Sequence, residues 1–271
     1  MNELYNTILN EDCLITLDRI KNKSIDLIIL DPPYNIGAAK WDKISNKKLQ
    51  TIIEKCFYKL KDTGSLYLWG THKNNEFLEN KLFVDNFIKE NIPTFEFKNW
   101  IVWIHDVKAH RQLKNRYLDK HEDIIFYAGK NNTFNIVRDY PPEKQLKIFK
   151  NKYDKNFFVK KENLPPSQQK IFFNGLQLGS PAKSWWKGKS NISNGKQIKK
   201  FAGYKSDWVC DRIITVSSNK NDIVFIPFCG TGTECVSAKK NNRTFISCEI
   251  DKERFEISKN RMKNVRILEK N

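Results

Sequence analysis

Asp31-Pro32-Pro33-Tyr34 closes the apolar run Ile25-Asp26-Leu27-Ile28-Ile29-Leu30, and its residue types suit one kind of chemistry. Neither proline can donate to a strand ladder and each fixes its own φ, so the strand stops abruptly. The residue ahead of each proline is pushed extended, which keeps the corner taut. What remains is rich in acceptors: the Asp31 carboxylate, nearby main-chain carbonyls, and the Tyr34 ring beside them. Such a corner suits a planar group bearing an amino function, and a nucleobase with an exocyclic amine has that form. Taken alone, the tetrapeptide reads equally as a strand followed by a proline-rich turn, with Asp31 forming the turn and Tyr34 packing.

A second pattern lies far downstream. Phe228-Cys229-Gly230-Thr231-Gly232-Thr233 follows the apolar segment Asp222-Ile223-Val224-Phe225-Ile226. Gly230 and Gly232 let the backbone bend tightly and approach a ligand where any Cβ would obstruct. Glu249 ends the next apolar segment, 17 residues after Gly232, where an acid can accept two hydrogen bonds from a ribose diol. The pattern is G-x-G without the third glycine of a pyrophosphate-binding turn, which points to a nucleoside ligand lacking a pyrophosphate.

Regular elements must hold these residues in place. Asp12 to Ile20 reads as a short helix or turn, and Ile25–Leu30 as a strand covered on both faces. Leu49, Ile52, Ile53, Cys56, Phe57 and Leu60 keep helical spacing over 48–60. Further strands are expected near 65–69, 100–104 and 122–128, with a helix near 75–89. In the C-terminal part the spacing predicts a helix over 207–216 with Ser206 or Asp207 as its cap, a strand over 222–226, a helix over 234–240, a strand over 244–248 and a closing helix over 251–263. Strands alternating with helices require an α/β fold, a mostly parallel sheet with helices on both faces.

Charge is unevenly spread. The 271 residues carry 48 Lys+Arg against 31 Asp+Glu, a net charge of +17. Residues 131–205 hold 16 Lys/Arg and 4 Asp/Glu, so +12 of that surplus sits in one segment without clean periodicity. Nucleic acid is the leading polyanionic partner for such a segment. Lys183, Lys187 and Lys189 surround Trp185-Trp186, and Lys196, Lys199 and Lys200 follow; the lysines suit phosphate contacts, while the tryptophans suit packing. The six cysteines form no C-x-x-C pair and have no histidine at ligand spacing, so neither a metal site nor a disulfide framework is expected. His72, His105, His110 and His121 lack a catalytic partner. No apolar run approaches membrane-spanning length and no signal peptide opens the chain, which reads as a soluble, cytoplasmic protein.

The two motifs in this order resemble the amino-group DNA methyltransferases that use S-adenosylmethionine, in their β arrangement. Glu11-Asp12-Cys13-Leu14, Gly64-Ser65-Leu66-Tyr67 and Arg243-Thr244-Phe245-Ile246 support the resemblance. It implies a Rossmann-like methyltransferase fold with circularly permuted motif order. Residues 1–130 would form the catalytic half, 131–205 an inserted target-recognition region and 206–271 the cofactor-binding half. Asp31, Pro32 and Tyr34 would be catalytic. Asp12, Cys13, Asp31, Lys205, Phe228, Gly230, Gly232, Thr233 and Glu249 would bind the cofactor. Lys183, Lys187, Lys189, Lys199 and Lys200 would contact double-stranded DNA.

The expected reaction is methylation of adenine N6 in a base flipped out of the duplex, since D-P-P-Y leans to adenine and cytosine-N4 enzymes more often begin that motif with serine. A degenerate, non-catalytic DNA-binding relative is the reading from another class. A homodimer and a cognate restriction endonuclease are the protein partners to consider. Two positions depart from the family: Ile226 stands where an aspartate is usual, and in Phe201-Ala202-Gly203-Tyr204-Lys205-Ser206 only Lys205 matches the usual H-P-T-Q-K-P. Both touch the cofactor's methionine end.

Overall fold

The computed structural model describes residues 2–37, 41–71, 75–105, 121–139, 180–181, 183–188 and 204–265. The chain divides into two compact units, residues 1–135 with 184–271, and residues 136–183. In the second unit the described strands are β6 (Arg138–Asp139) and β7 (Ser180–Pro181), an antiparallel pair.

The first unit is built on one sheet. Its strands are β1 (Thr7–Leu9), β2 (Ile25–Leu30), β3 (Leu60–Gly70), β4 (Phe95–His105), β5 (His121–Gly129), β8 (Trp185–Gly188), β9 (Ile223–Ile226) and β10 (Thr244–Cys248). They lie in the order β1-β10-β9-β2-β3-β5-β4-β8. Every neighbouring pair is parallel except those made by β5, which runs against both β3 and β4. The helices are α1 (Cys13–Arg19), α2 (Asn46–Lys59), α3 (Glu76–Asn91), α4 (Asp207–Ser217), α5 (Thr233–Lys240) and α6 (Lys252–Lys263).

Alternation along the strands explains the two layers. Ile28 and Leu30 of β2 face a cluster completed by Leu17 of α1, Ile52 and Phe57 of α2, and Val84 and Phe87 of α3. Leu27 and Ile29 face the other side, where Val209 and Ile213 of α4 and Cys235 and Ala238 of α5 cover them. All four β2 side chains are fully buried, and each such residue contributes about 1.5–3 kcal/mol by leaving water. That is why β2 reads as a continuous apolar run: with helices on both faces, neither parity can be polar.

The sheet is larger than the periodicity suggests. β1 is three residues long, too short for a pattern to register. β8 lies within the basic segment, yet it pairs with β4, and alternation divides its tryptophans: Trp186 is buried against Trp208 while Trp185 is half exposed. Residues 184–188 and 204–205, read from sequence as part of the insertion, therefore belong to the sheet-bearing unit. Among the described residues no helix is long and apolar enough to cross a membrane. All six cysteines are free and buried.

Candidate active site

β2 and β9 are parallel neighbours near the middle of the sheet. The chain leaves β2 toward β3 on one side and leaves β9 toward β10 on the other, so the loops beyond their carboxyl ends diverge. Open α/β sheets form ligand crevices at such a switch point. Here the crevice is a cavity of about 510 Å³ whose wall includes Asp31, Pro32 and Tyr34 from the β2 end and Phe228, Gly230 and Glu249 from the β9–β10 side. The volume falls in the range that encloses a nucleoside-sized molecule.

On the β9 side the turn is shaped by its glycines. Gly230 has φ +53° and Gly232 φ +82°, conformations that L side chains rarely adopt. A Cβ on Gly232 would also meet the Ser258 Cβ at 2.9 Å. Gly232 thus turns the chain against α6, whereas Gly230 faces the cavity. Glu249 is nearly buried, and its carboxylate accepts from the Gly230 N–H at 2.8 Å and the Asp251 N–H at 2.9 Å. Burial pushes this carboxyl up and the two amides pull it back.

Asp12 caps α1, accepting from the Leu14 N–H at 2.9 Å, and pairs with Lys48 Nζ at 2.5 Å. Burial works against ionisation of Asp12, but Lys48 and the Leu14 amide together outweigh it and the carboxyl lies below its usual value. The neighbouring Cys13 thiol is pushed up to about 12 by burial and the Asp12 charge. It stays neutral and packs as a small apolar group.

On the β2 side the groups are tied to one another. Tyr34 donates its hydroxyl to Asp31 Oδ1 at 2.7 Å. Lys205, 3% exposed, donates to Glu122 Oε2 at 2.8 Å and to the Tyr34 hydroxyl at 2.9 Å, and its Nζ lies 3.0 Å from Asp31 Oδ1. Burial disfavours the Lys205 charge, yet Asp31 and Glu122 together hold its pKa above the ordinary value. Burial pushes the Asp31 carboxyl up, with Lys205 opposing it. Burial and the Asp31 charge push the Tyr34 phenol well above its usual value, so it remains a donor.

Asp42 fixes the corner from behind. It is buried and accepts from three successive main-chain amides, Tyr34 at 2.6 Å and Asn35 and Ile36 each at 3.0 Å. Asn35 sits at φ +56° and exchanges side-chain bonds with the Ile44 N–H and C=O, both at 2.8 Å.

The structure brings Asp12, Cys13, Asp31, Pro32, Tyr34, Lys205, Phe228, Gly230, Thr233 and Glu249 to one cavity wall. Lys205, expected among the cofactor contacts, is held by the two carboxylates Asp31 and Glu122. Ile226 is buried on the far side of β9 in the α4–α5 core. Lys183 and Lys187 are exposed, and Lys189, Lys199 and Lys200 lie outside the described residues. Sequence reasoning missed Asp42, Glu122 and Glu234. Asp42 and Glu122 carry no local signal. Glu234 does, being an acid directly behind the glycine turn.

Comparison with known proteins agrees with this geometry. The family described as DNA methylase, of the N6/N4 type, matches residues 25–260. Type II methyltransferase M1.MboII of Moraxella bovis is 30% identical over 92% of this chain and 93% of its own length. DNA adenine methyltransferase YhdJ of Escherichia coli is 29% identical over 94% of this chain and 82% of its own. Among solved structures, the complex of M1.HpyAVI with SAM superposes with a TM-score of 0.62 at 22% identity, covering 94% of this chain and 98% of that one. The PvuII cytosine-N4-specific methyltransferase gives 0.63 at 14% identity over 97% and 94%. The chain belongs to the amino-group DNA methyltransferase family.

Proposed function

We propose that this chain methylates N6 of adenine in double-stranded DNA, at a specific site, with S-adenosylmethionine as methyl donor. The observation that carries the reading is the Asp31 carboxylate. Its Oδ1 takes the bonds from Tyr34 and Lys205, while among the described residues none is made to Oδ2. Asp31 lines the cavity shared with the glycine turn, which is where an acceptor for an amine belongs.

The residues present fit the cofactor. Phe228, Gly230 and Glu249 would hold its nucleoside, with Asp12 and Cys13 beside them, and Lys205 bears on it through Asp31. When bound, the cofactor supplies a methyl group on a sulfonium. An exocyclic amine is a poor nucleophile because its lone pair is delocalised into the ring. Asp31 Oδ2 accepting one amine N–H, and the Pro32 carbonyl the other, favours a pyramidal nitrogen. Holding that nitrogen in place supplies much of the acceleration. Once methylated, the nitrogen sheds a proton to Asp31 Oδ2, whose carboxyl burial has already pushed up. Tyr34 stacks on the base, which must leave the duplex to reach the cavity.

Exposed Lys183 and Lys187 support phosphate contacts, and we extend that role to Lys189, Lys199 and Lys200. The Type II names of the relatives support a cytoplasmic role beside a cognate restriction endonuclease. The initial aspartate of D-P-P-Y and the adenine-specific relative support N6. Incubation with tritiated S-adenosylmethionine and DNA, followed by nucleoside analysis, tests the assignment. Label in N6-methyladenine is expected. Label in 4-methylcytosine would move the reaction to the other base, and no label despite cofactor binding would remove the enzymatic reading.

A further inference from the structure

Glu234 is set apart from the other acids of the cavity. It is the second residue of α5, directly behind Gly232-Thr233, lines the cavity, and is 3% exposed. Its carboxylate accepts from its own main-chain N–H, and among the described residues it makes no side-chain hydrogen bond and no ion pair. The charges that face it are already engaged. Lys205 is held by Asp31 and Glu122. Arg261 of α6 donates to the Thr231 carbonyl at 2.7 Å, the Thr233 hydroxyl at 3.1 Å and the Tyr204 hydroxyl at 3.3 Å. Asp31 at the end of β2 repels it and the Cys210 thiol of α4 stays neutral. Burial and the Asp31 charge push the Glu234 carboxyl up to about 7, with its own amide, Lys205 and Arg261 opposing. A buried carboxylate with a single amide donor and no paired cation is costly to ionise unless a cation reaches it.

We propose that Glu234 receives the α-ammonium of the methionine portion of S-adenosylmethionine. The proposal rests on the cofactor reading above and assigns one residue within it. The carboxylate is covalently next to the turn that faces the nucleoside, so its cation is one the same ligand brings. That ligand carries two. A carboxylate against the sulfonium would stabilise the charge that methyl transfer must discharge and would slow the reaction. The ammonium keeps its charge throughout. The target amine is neutral and has Asp31 Oδ2. Ile226, buried in the core that α4 and α5 cover, brings no acid to this end of the cavity.

Titration calorimetry on the purified protein tests this with three probes: S-adenosylmethionine, S-adenosylhomocysteine, which keeps the ammonium without the sulfonium, and 5′-methylthioadenosine, which lacks both. Glu234→Gln is expected to weaken the first two by at least about tenfold and to leave the third within twofold. Loss confined to S-adenosylmethionine would place the sulfonium, not the ammonium, at Glu234. Equal loss for all three, or none, would overturn the assignment. The wild-type protein gives an independent reading at about pH 6.5, where an α-ammonium is largely protonated. Binding of S-adenosylhomocysteine should release protons, seen as a dependence on buffer ionisation heat, and binding of 5′-methylthioadenosine should release none. Absence of that difference overturns the proposal whether or not the variant folds. A wild-type protein that binds none of the three would instead remove the cofactor site itself.

Discussion

The two ends of the cavity handle negative charge in opposite ways. At the β2 end, Asp31 and Glu122 share one buried lysine and one tyrosine hydroxyl, and Asp42 clamps the backbone behind them. At the α5 end, Glu234 has only its own main-chain amide and Glu249 is held by the Gly230 and Asp251 amides. One end has a lysine built between its two carboxylates; at the other Arg254 bears on Glu249, and no cation is paired directly with Glu234. The contrast fits a reaction in which the base brings a neutral amine and the methyl donor brings cations. A neutral amine needs a fixed acceptor, whereas a cationic ligand binds best where a charge is still wanting.

The largest expected effect comes from emptying the β2 end. Asp31→Ala should lower methyl transfer on the order of 10³-fold while cofactor affinity in calorimetry stays within a few-fold. Near-normal turnover would dissolve the distinction between the two ends. Lys205→Met should come next, with turnover down roughly 10–100-fold, because a lone partner left buried is strongly unfavourable. Lys205 opposes the rise of the Asp31 carboxyl, so its loss lets that group protonate more readily. The acid limb of the kcat/KM profile should therefore move to higher pH. A limb that stays in place would make Lys205 a packing residue only.

The smallest effect sharpens the other end. The Glu234 carboxyl lies at about 7 in the fold against 4.5 for an ordinary glutamate, so the native state holds the proton more tightly than the unfolded chain. Stability then falls as pH rises from about 4.5 to 7, and stays reduced above. Without cofactor, Glu234→Gln should be more stable than wild type at pH 8, by on the order of 1–3 kcal/mol, with the gap closing near pH 4.5. Parallel thermal melts across that range measure it. A gap that does not depend on pH would mean Glu234 is not buried without a paired cation.

What the sequence disclosed, and what it hid, follows the range of the interactions. β2 and α2 are legible because periodicity reports burial within a few residues. The D-P-P-Y corner and the glycine turn are legible because proline and glycine constrain their own backbone. Lys205 and Glu122 are 83 positions apart, and nothing local in either neighbourhood marks the partner. Asp42 is only six to eight residues from the amides it caps, but an aspartate in a loop has many uses. β8 was hidden by composition: Trp185-Trp186-Lys187-Gly188 resembles the basic segment around it, and only pairing with β4 shows it to be a strand.

The reversed direction of β5 has a consequence for how this enzyme could vary. Because β5 runs against its neighbours, its first residues, not its last, arrive at the edge of the sheet where the loops of β2 and β9 open. Glu122 stands opposite Trp103, and Asp123 opposite Val102 and Gly70. Side chains on a strand alternate faces, so a slip of one residue would turn Glu122 away from Lys205. The charge balance at Asp31 is thus set by counting along a strand that does not pair with β2, the strand the motif closes. A single-residue deletion within β5 would leave every signature residue of the family in place and still unsettle the acceptor they describe.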